Sequence, residues 1–168
     1  LGSALGPDEN PYDERSYSRF KGNDYSPDKM FDEIKGFINR NRDEEFFLMW
    51  TTTLPHAAFQ APDEMVDYYV KKFADEYDVT ETPVYNGKGY FPCRYTKATY
   101  AAMITYFDQQ VGKLIEELKS LGIYDNTIIM FTSDNGPTHN AYTSTDWFEC
   151  AAPFRSIKGW TKRSLHEG

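Results

Sequence analysis

Two short runs of apolar and β-branched residues, Phe46 to Thr52 (FFLMWTT) and Thr127 to Ser133 (TIIMFTS), constrain this chain more than any other feature. Neither alternates apolar with polar residues, as a strand with one wet face would, so both demand cover on two faces. Strands of that kind belong to parallel sheets flanked by helices, and the segments around them have helical patterns. The predicted architecture is therefore α/β, with a mostly parallel sheet.

The helices follow from spacing. Ser26-Pro27-Asp28 offers an N-cap hydroxyl, a proline suited to the first helical position and an acid at the positive helix end, and Phe31, Ile34 and Ile38 follow at helical intervals. This predicts a helix over residues 27–40, then a charged turn over Asn39 to Glu45. Pro55 ends the first apolar run. Residues 62–76 place Met65, Val66, Tyr69, Val70 and Phe73 on one face and predict a second helix, and 78–92 predict a loop. Residues 96–121 carry the strongest pattern, with Ile104, Phe107, Val111, Leu114, Ile115, Leu118 and Leu121 on one stripe and Gly122 placed to cap the end. A turn at Tyr124-Asp125-Asn126 leads into the second apolar run. The first 26 residues show no sustained period and are expected to be irregular cover, with the α/β portion over 27–168.

Composition limits the function classes. Hydrophobic residues make up 40% of the 168 and aromatics 17%, which suffices for a core and excludes wholesale disorder. The net charge of −8, with no dense basic stretch, argues against nucleic-acid binding. No apolar run approaches the length of a bilayer span. The chain starts at Leu1 rather than Met and stops inside a charged stretch, so it is expected to be an internal fragment of a longer polypeptide. Cys93 and Cys150 lack metal-type spacing; they are either free thiols or one disulfide, and neither is expected to do chemistry.

In open α/β sheets ligands collect beyond the carboxyl ends of the strands. Here those positions hold Leu54-Pro55-His56 and Ser133-Asp134-Asn135-Gly136. Asp134-Asn135-Gly136 is either a plain polar turn or a pair of hard oxygen donors for Ca²⁺ or Mg²⁺. His56 is either an ordinary surface or core histidine or an imidazole that meets an anionic oxygen or a leaving group. His139 is a further candidate for the same crevice, and His166, beside Glu167, reads as structural or solvated. Residues 154–163 carry four basic side chains in ten, including Lys158 and Lys162, the one local positive cluster. A charge run is usually a solvated face. In an acidic chain it is also where a tetrahedral oxyanion ester would be held beside a metal, and sulfate and phosphate are not separated by these residues.

The residues also resemble a known family. Thr127 to Gly136 (TIIMFTSDNG) is similar to the strand and metal-binding turn of the sulfatases of the alkaline-phosphatase superfamily. Phe46 to Pro62 (FFLMWTTTLPHAAFQAP) resembles their strand and Pro-His segment, Asp108 to Gly112 their Asp-x-x-Val-Gly helix, and Lys162 to Gly168 (KRSLHEG) their Lys-x-x-x-x-Glu-Gly-Gly motif. The likeness extends over residues 27–168. It implies part of an alkaline-phosphatase-like fold, with Asp134 and Asn135 as Ca²⁺ ligands and Mg²⁺ as the lesser alternative. It also implies His56 on the sulfate or ester oxygen and Lys162 bridging a sulfate oxygen, with Lys158 in its place if the register differs. His56 would also protonate the leaving alcohol. The implied substrate is a sulfated carbohydrate or an aryl sulfate, and the implied location of the parent is periplasmic or extracellular. Tyr142, Trp147 and Trp160 are either sugar-stacking or packing residues.

The chain departs from the family at its nucleophile. Those enzymes use a formylglycine made from Cys/Ser-x-Pro-x-Arg, and no such motif occurs here: Cys93 precedes Arg94-Tyr95, and Cys150 precedes Ala151-Ala152. The family's paired aspartates after its first strand are also missing. The isolated chain is expected to be inactive. A related phosphodiesterase or phosphonate hydrolase, and a non-catalytic carbohydrate-binding relative, remain as alternative parents.

Overall fold

A computed structural model describes residues 5–6, 8–10, 13–17, 22–76, 90, 93–138, 145–153 and 157–159. The chain divides into two compact units, Leu1–Ile128 and Ile129–Gly168.

In the first unit, α1 (Glu14–Tyr17) is a single helical turn, so the amino-terminal stretch is not wholly irregular, and Leu5 within it is buried. Helix α2 (Ser26–Asn41) buries Pro27, Phe31, Ile34 and Ile38, the stripe expected from their spacing. Its cap differs from the expectation. Tyr25 takes the N-cap position without a side-chain bond, and Ser26 lies inside the first turn. One orphan amide of the first turn is met by the backbone, as Asp28 N–H donates to the Tyr25 carbonyl at 3.0 Å.

Helix α3 (Asp63–Lys72) is shorter than its apolar pattern suggested, and residues 73–76 form turns. Its contribution to the core comes from just past its end, where Phe73 is buried. The Tyr69 hydroxyl bonds Thr105 Oγ1 at 2.6 Å and ties this helix to α4 (Thr96–Ser120).

Helix α4 buries a different face from the one predicted in its first half. Ala98, Ala102, Met103 and Tyr106 are buried and Ile104 is exposed, because small side chains let neighbouring elements approach the helix closely on that side. The second half follows the sequence pattern. Ile34, Ile38 and Leu118 form the core, with Phe37, Phe46, Leu48, Trp50, Leu114, Leu121 and Ile123 packed around them. Gly122 ends the helix at φ +70°, with its N–H on the Lys119 carbonyl at 3.0 Å and the Ile123 N–H on the Leu118 carbonyl at 3.1 Å. This pair of bonds is the Schellman motif, and only a residue without a Cβ adopts that φ at no steric cost.

The two apolar runs are extended, but among the described residues neither forms a sheet ladder. The expected parallel sheet is therefore absent from the described structure. Phe46, Leu48 and Trp50 turn toward the helices, while Phe47 is 79% and Met49 70% exposed. Burial thus alternates along a run whose sequence does not. In the second run, Ile128 at the end of the first unit is 89% exposed, and Met130 and Phe131 of the second unit are also exposed. Helix cover is seen on one face of the first run only, through Phe46, Leu48 and Trp50. The predicted 78–92 loop falls mostly outside the described residues.

Candidate functional site

The first unit carries His56 on the turn that follows the extended run. The turn forms because Pro55 cannot donate and the Thr53 carbonyl takes the His56 N–H at 2.7 Å, with Leu54 N–H on Thr52 Oγ1 at 3.2 Å. The imidazole is exposed, its Nδ1 lies 2.5 Å from the Ala57 carbonyl, and its ring centre is 6.0 Å from that of Tyr90. A carbonyl can only accept, so Nδ1 carries the proton, and Nε2 makes no hydrogen bond among the described residues. An imidazole oriented this way presents Nε2 to a ligand, as a lone pair when neutral and as a donor when protonated.

Behind this turn lies a polar cluster that sequence reading missed. The Tyr25 hydroxyl donates to the Gln60 carbonyl at 2.9 Å, and the Tyr106 hydroxyl donates to the Asp28 carboxylate. The two rings meet edge to face at 5.0 Å. Burial, aided by the nearby Asp28 charge, pushes the Tyr25 phenol up to about 12. Burial also raises that of Tyr106, with the bond to Asp28 adding to it. The residues lie too far apart in sequence for any motif to link them. The one usable signal was Tyr106 standing off the apolar stripe of its helix.

In the second unit, Asp134 and Asn135 lie on a turn in which Ser133 Oγ donates to the Asn135 carbonyl at 2.8 Å. Asn135 Nδ2 donates to Asp134 Oδ1, which brings the two predicted metal ligands together. Asn135 Oδ1 is buried and accepts no hydrogen bond among the described residues. An orphaned buried oxygen beside a carboxylate is the donor chemistry that Ca²⁺ or Mg²⁺ requires. It is only part of a coordination set, since among the described residues no group of three or more His, Cys, Asp or Glu could hold a metal. Lys158 N–H donates to the Pro137 carbonyl at 2.8 Å, so the Lys158 turn is fastened to the residues just after the Asp134-Asn135 turn.

His56 lies in the first unit and Asp134, Asn135 and Lys158 in the second. Lys162, His139, Tyr142, Trp160 and His166 lie outside the described residues. Trp147 is half-buried with its ring 4.6 Å from that of Phe148, edge to face. Both cysteines are free thiols; Cys93 is buried, donates to Thr99 Oγ1 at 3.5 Å, and has its thiol pushed up by burial.

The sulfatase family model matches residues 4–166, and this chain belongs to the sulfatase family. It is 29% identical over 157 residues to an uncharacterised sulfatase of Schizosaccharomyces pombe, covering 75% of this chain and 27% of that protein. It is 31% identical over 124 residues to the uncharacterised sulfatase YdeN of Escherichia coli, covering 73% of this chain and 19% of the relative. To an arylsulfatase of Klebsiella aerogenes it is 28% identical over 144 residues, covering 67% and 30% respectively. The chain thus spans less than a third of the length of these relatives. No helix among the described residues is long and apolar enough to cross a membrane.

Proposed function

We propose that this chain supplies the metal turn and part of the anion-binding surface of a Ca²⁺-dependent sulfate-ester hydrolase built on a mostly parallel α/β sheet. The observation that carries this reading is the Asp134-Asn135 pair with its buried, unpartnered Asn135 Oδ1, in a chain of the sulfatase family. Asp134 and Asn135 would hold the cation, and the cation would supply charge neutralisation at the sulfate. Lys162, or Lys158 in its place, would stabilise charge gathering on a non-bridging oxygen, and His56, with Nδ1 engaged and Nε2 unbonded, would meet the ester oxygen and protonate the leaving alcohol. His139 is proposed as a further contact to substrate. The substrate class is a sulfated carbohydrate or aryl sulfate, and the location is outside the cytoplasm, periplasmic or extracellular.

The chain has no Cys/Ser-x-Pro-x-Arg motif and so no source of the family's nucleophile, and by itself it should not turn over an aryl sulfate. Calcium titration followed by NMR at the Asn135 side-chain amide tests the metal turn. Weak, millimolar binding that Asp134→Ala abolishes is expected, and no response at Asn135 would reject it. The gene sequence upstream of the Leu1 codon tests the chemistry. Cys/Ser-x-Pro-x-Arg there supports sulfate-ester hydrolysis, Thr at the nucleophile position would replace it with phosphoryl chemistry, and neither would leave only a binding role.

A further inference from the structure

We propose that Tyr25, Asp28 and Tyr106 form a latch that positions the turn carrying His56, residues 53–61. This goes beyond the reading of His56 as the imidazole that faces substrate, and rests on that reading only for its functional meaning.

His56 itself is lightly held. Its backbone N–H reaches back to Thr53 and its Nδ1 to the adjacent Ala57 carbonyl, both within its own turn, and outside the turn, among the described residues, its ring meets only that of Tyr90, tilted at 6.0 Å. Its position therefore depends chiefly on how the two ends of the turn are fastened. The leading end is fastened by Trp50, whose ring lies 5.8 Å from Phe31 of α2 and 5.2 Å from Phe107 of α4. The trailing end is fastened by Phe59, buried with its ring 5.4 Å from Tyr100, and by the Tyr25 hydroxyl on the Gln60 carbonyl.

The Tyr25 contact is braced on both sides. Its ring meets the Tyr106 ring edge to face, the Tyr106 hydroxyl is held by the Asp28 carboxylate, and the Asp28 N–H donates back to the Tyr25 carbonyl. The circuit closes on itself, so the hydroxyl that holds Gln60 has little freedom. Two helices, α2 through Asp28 and α4 through Tyr106, thus converge on one backbone carbonyl four residues after His56. This makes Tyr25, Asp28 and Tyr106 positioning residues.

The test is Tyr25→Phe in the full 168-residue chain, which keeps the ring and removes the hydroxyl. Amide hydrogen exchange over 54–60 should rise about fivefold, the equilibrium factor of one net hydrogen bond, while exchange over 110–120 of α4 stays at the wild-type rate. The His56 ring resonances, assigned with His56→Gln, should move toward those of a solvent-mobile histidine. Tyr106→Phe should produce the same local pattern at a smaller amplitude, since it removes the brace and leaves the Tyr25 hydroxyl in place. Unchanged exchange over 54–60 and unmoved His56 signals in Tyr25→Phe would overturn the latch, as would a rise spread evenly over α4. Titrating inorganic sulfate into the wild-type chain separates the two ideas. A latch confirmed by exchange, with His56 silent to sulfate, would sink the substrate-facing reading and leave the latch standing.

Discussion

Tyr25 holds a phenol whose folded-state ionisation is displaced from an ordinary value of 10.0 up to about 12, first by burial and then by the Asp28 charge. The folded protein therefore keeps this proton when the unfolded chain has lost it. Between pH 10 and 12 the unfolded state binds fewer protons, so stability present below pH 10 is lost progressively as pH rises through that window. Tyr25→Phe should flatten this alkaline limb, which urea unfolding at stepped pH would measure. Cys93 gives a second prediction at this scale. Burial raises its thiol and leaves less thiolate at mildly alkaline pH, so iodoacetamide should label it slowly in the native state and rapidly in urea. Equal labelling rates in the two conditions would contradict its burial. At this scale the sequence marked Asp134, Asn135 and His56 as candidates by their types and positions after apolar runs, and the structure places each of them on a turn. It was silent about Tyr25 and Asp28, because their roles depend on a partner 78 positions from Asp28 that no local pattern encodes.

Among the elements, α2 and α4 were legible nearly to their ends, since 3.6-residue periodicity, a proline near the start and a glycine past the finish are local signals. What escaped was which face of α4 is buried near its start. Hydrophobic spacing favoured Ile104, whereas close packing selected the small side chains of Ala98 and Ala102. The carboxyl end of α4 is where a substitution tests the structure most directly. Gly122→Ala places a Cβ at φ +70° and should cost about 1 kcal/mol, read as a lowered urea midpoint with unchanged slope. Ile38, 1% exposed between α2 and α4, is the larger lever. Ile38→Ala should cost about 2–5 kcal/mol, enough to unfold a marginal unit, and a loss below that range would mean the core around Leu118 collapses into the space.

For the whole molecule, the two runs that pointed to an α/β fold remain only partly covered. Phe47, Met49 and Ile128 of the first unit, and Met130 and Phe131 of the second, expose large apolar surface on segments with no sheet ladder among the described residues. Isolated exposed hydrophobes are ordinary, but extended segments that expose several large apolar side chains in a row are surfaces for association. The 168-residue chain should therefore bind an apolar dye such as ANS in its native state, and Phe47→Lys with Met49→Lys should reduce that fluorescence; no dye binding would show these faces to be covered. The strand character of these runs was readable from composition, but the pairing was not, because a ladder is a property of neighbours rather than of a segment. The wedge of Trp50 between Phe31 and Phe107 has an optical consequence. An indole gripped by rings from two helices, six positions ahead of His56, is a built-in emitter at the root of the histidine turn. Trp50 emission, isolated by subtracting a Trp50→Phe spectrum, should shift whenever that turn is displaced, so the chain can report occupancy of its own histidine turn without any attached label.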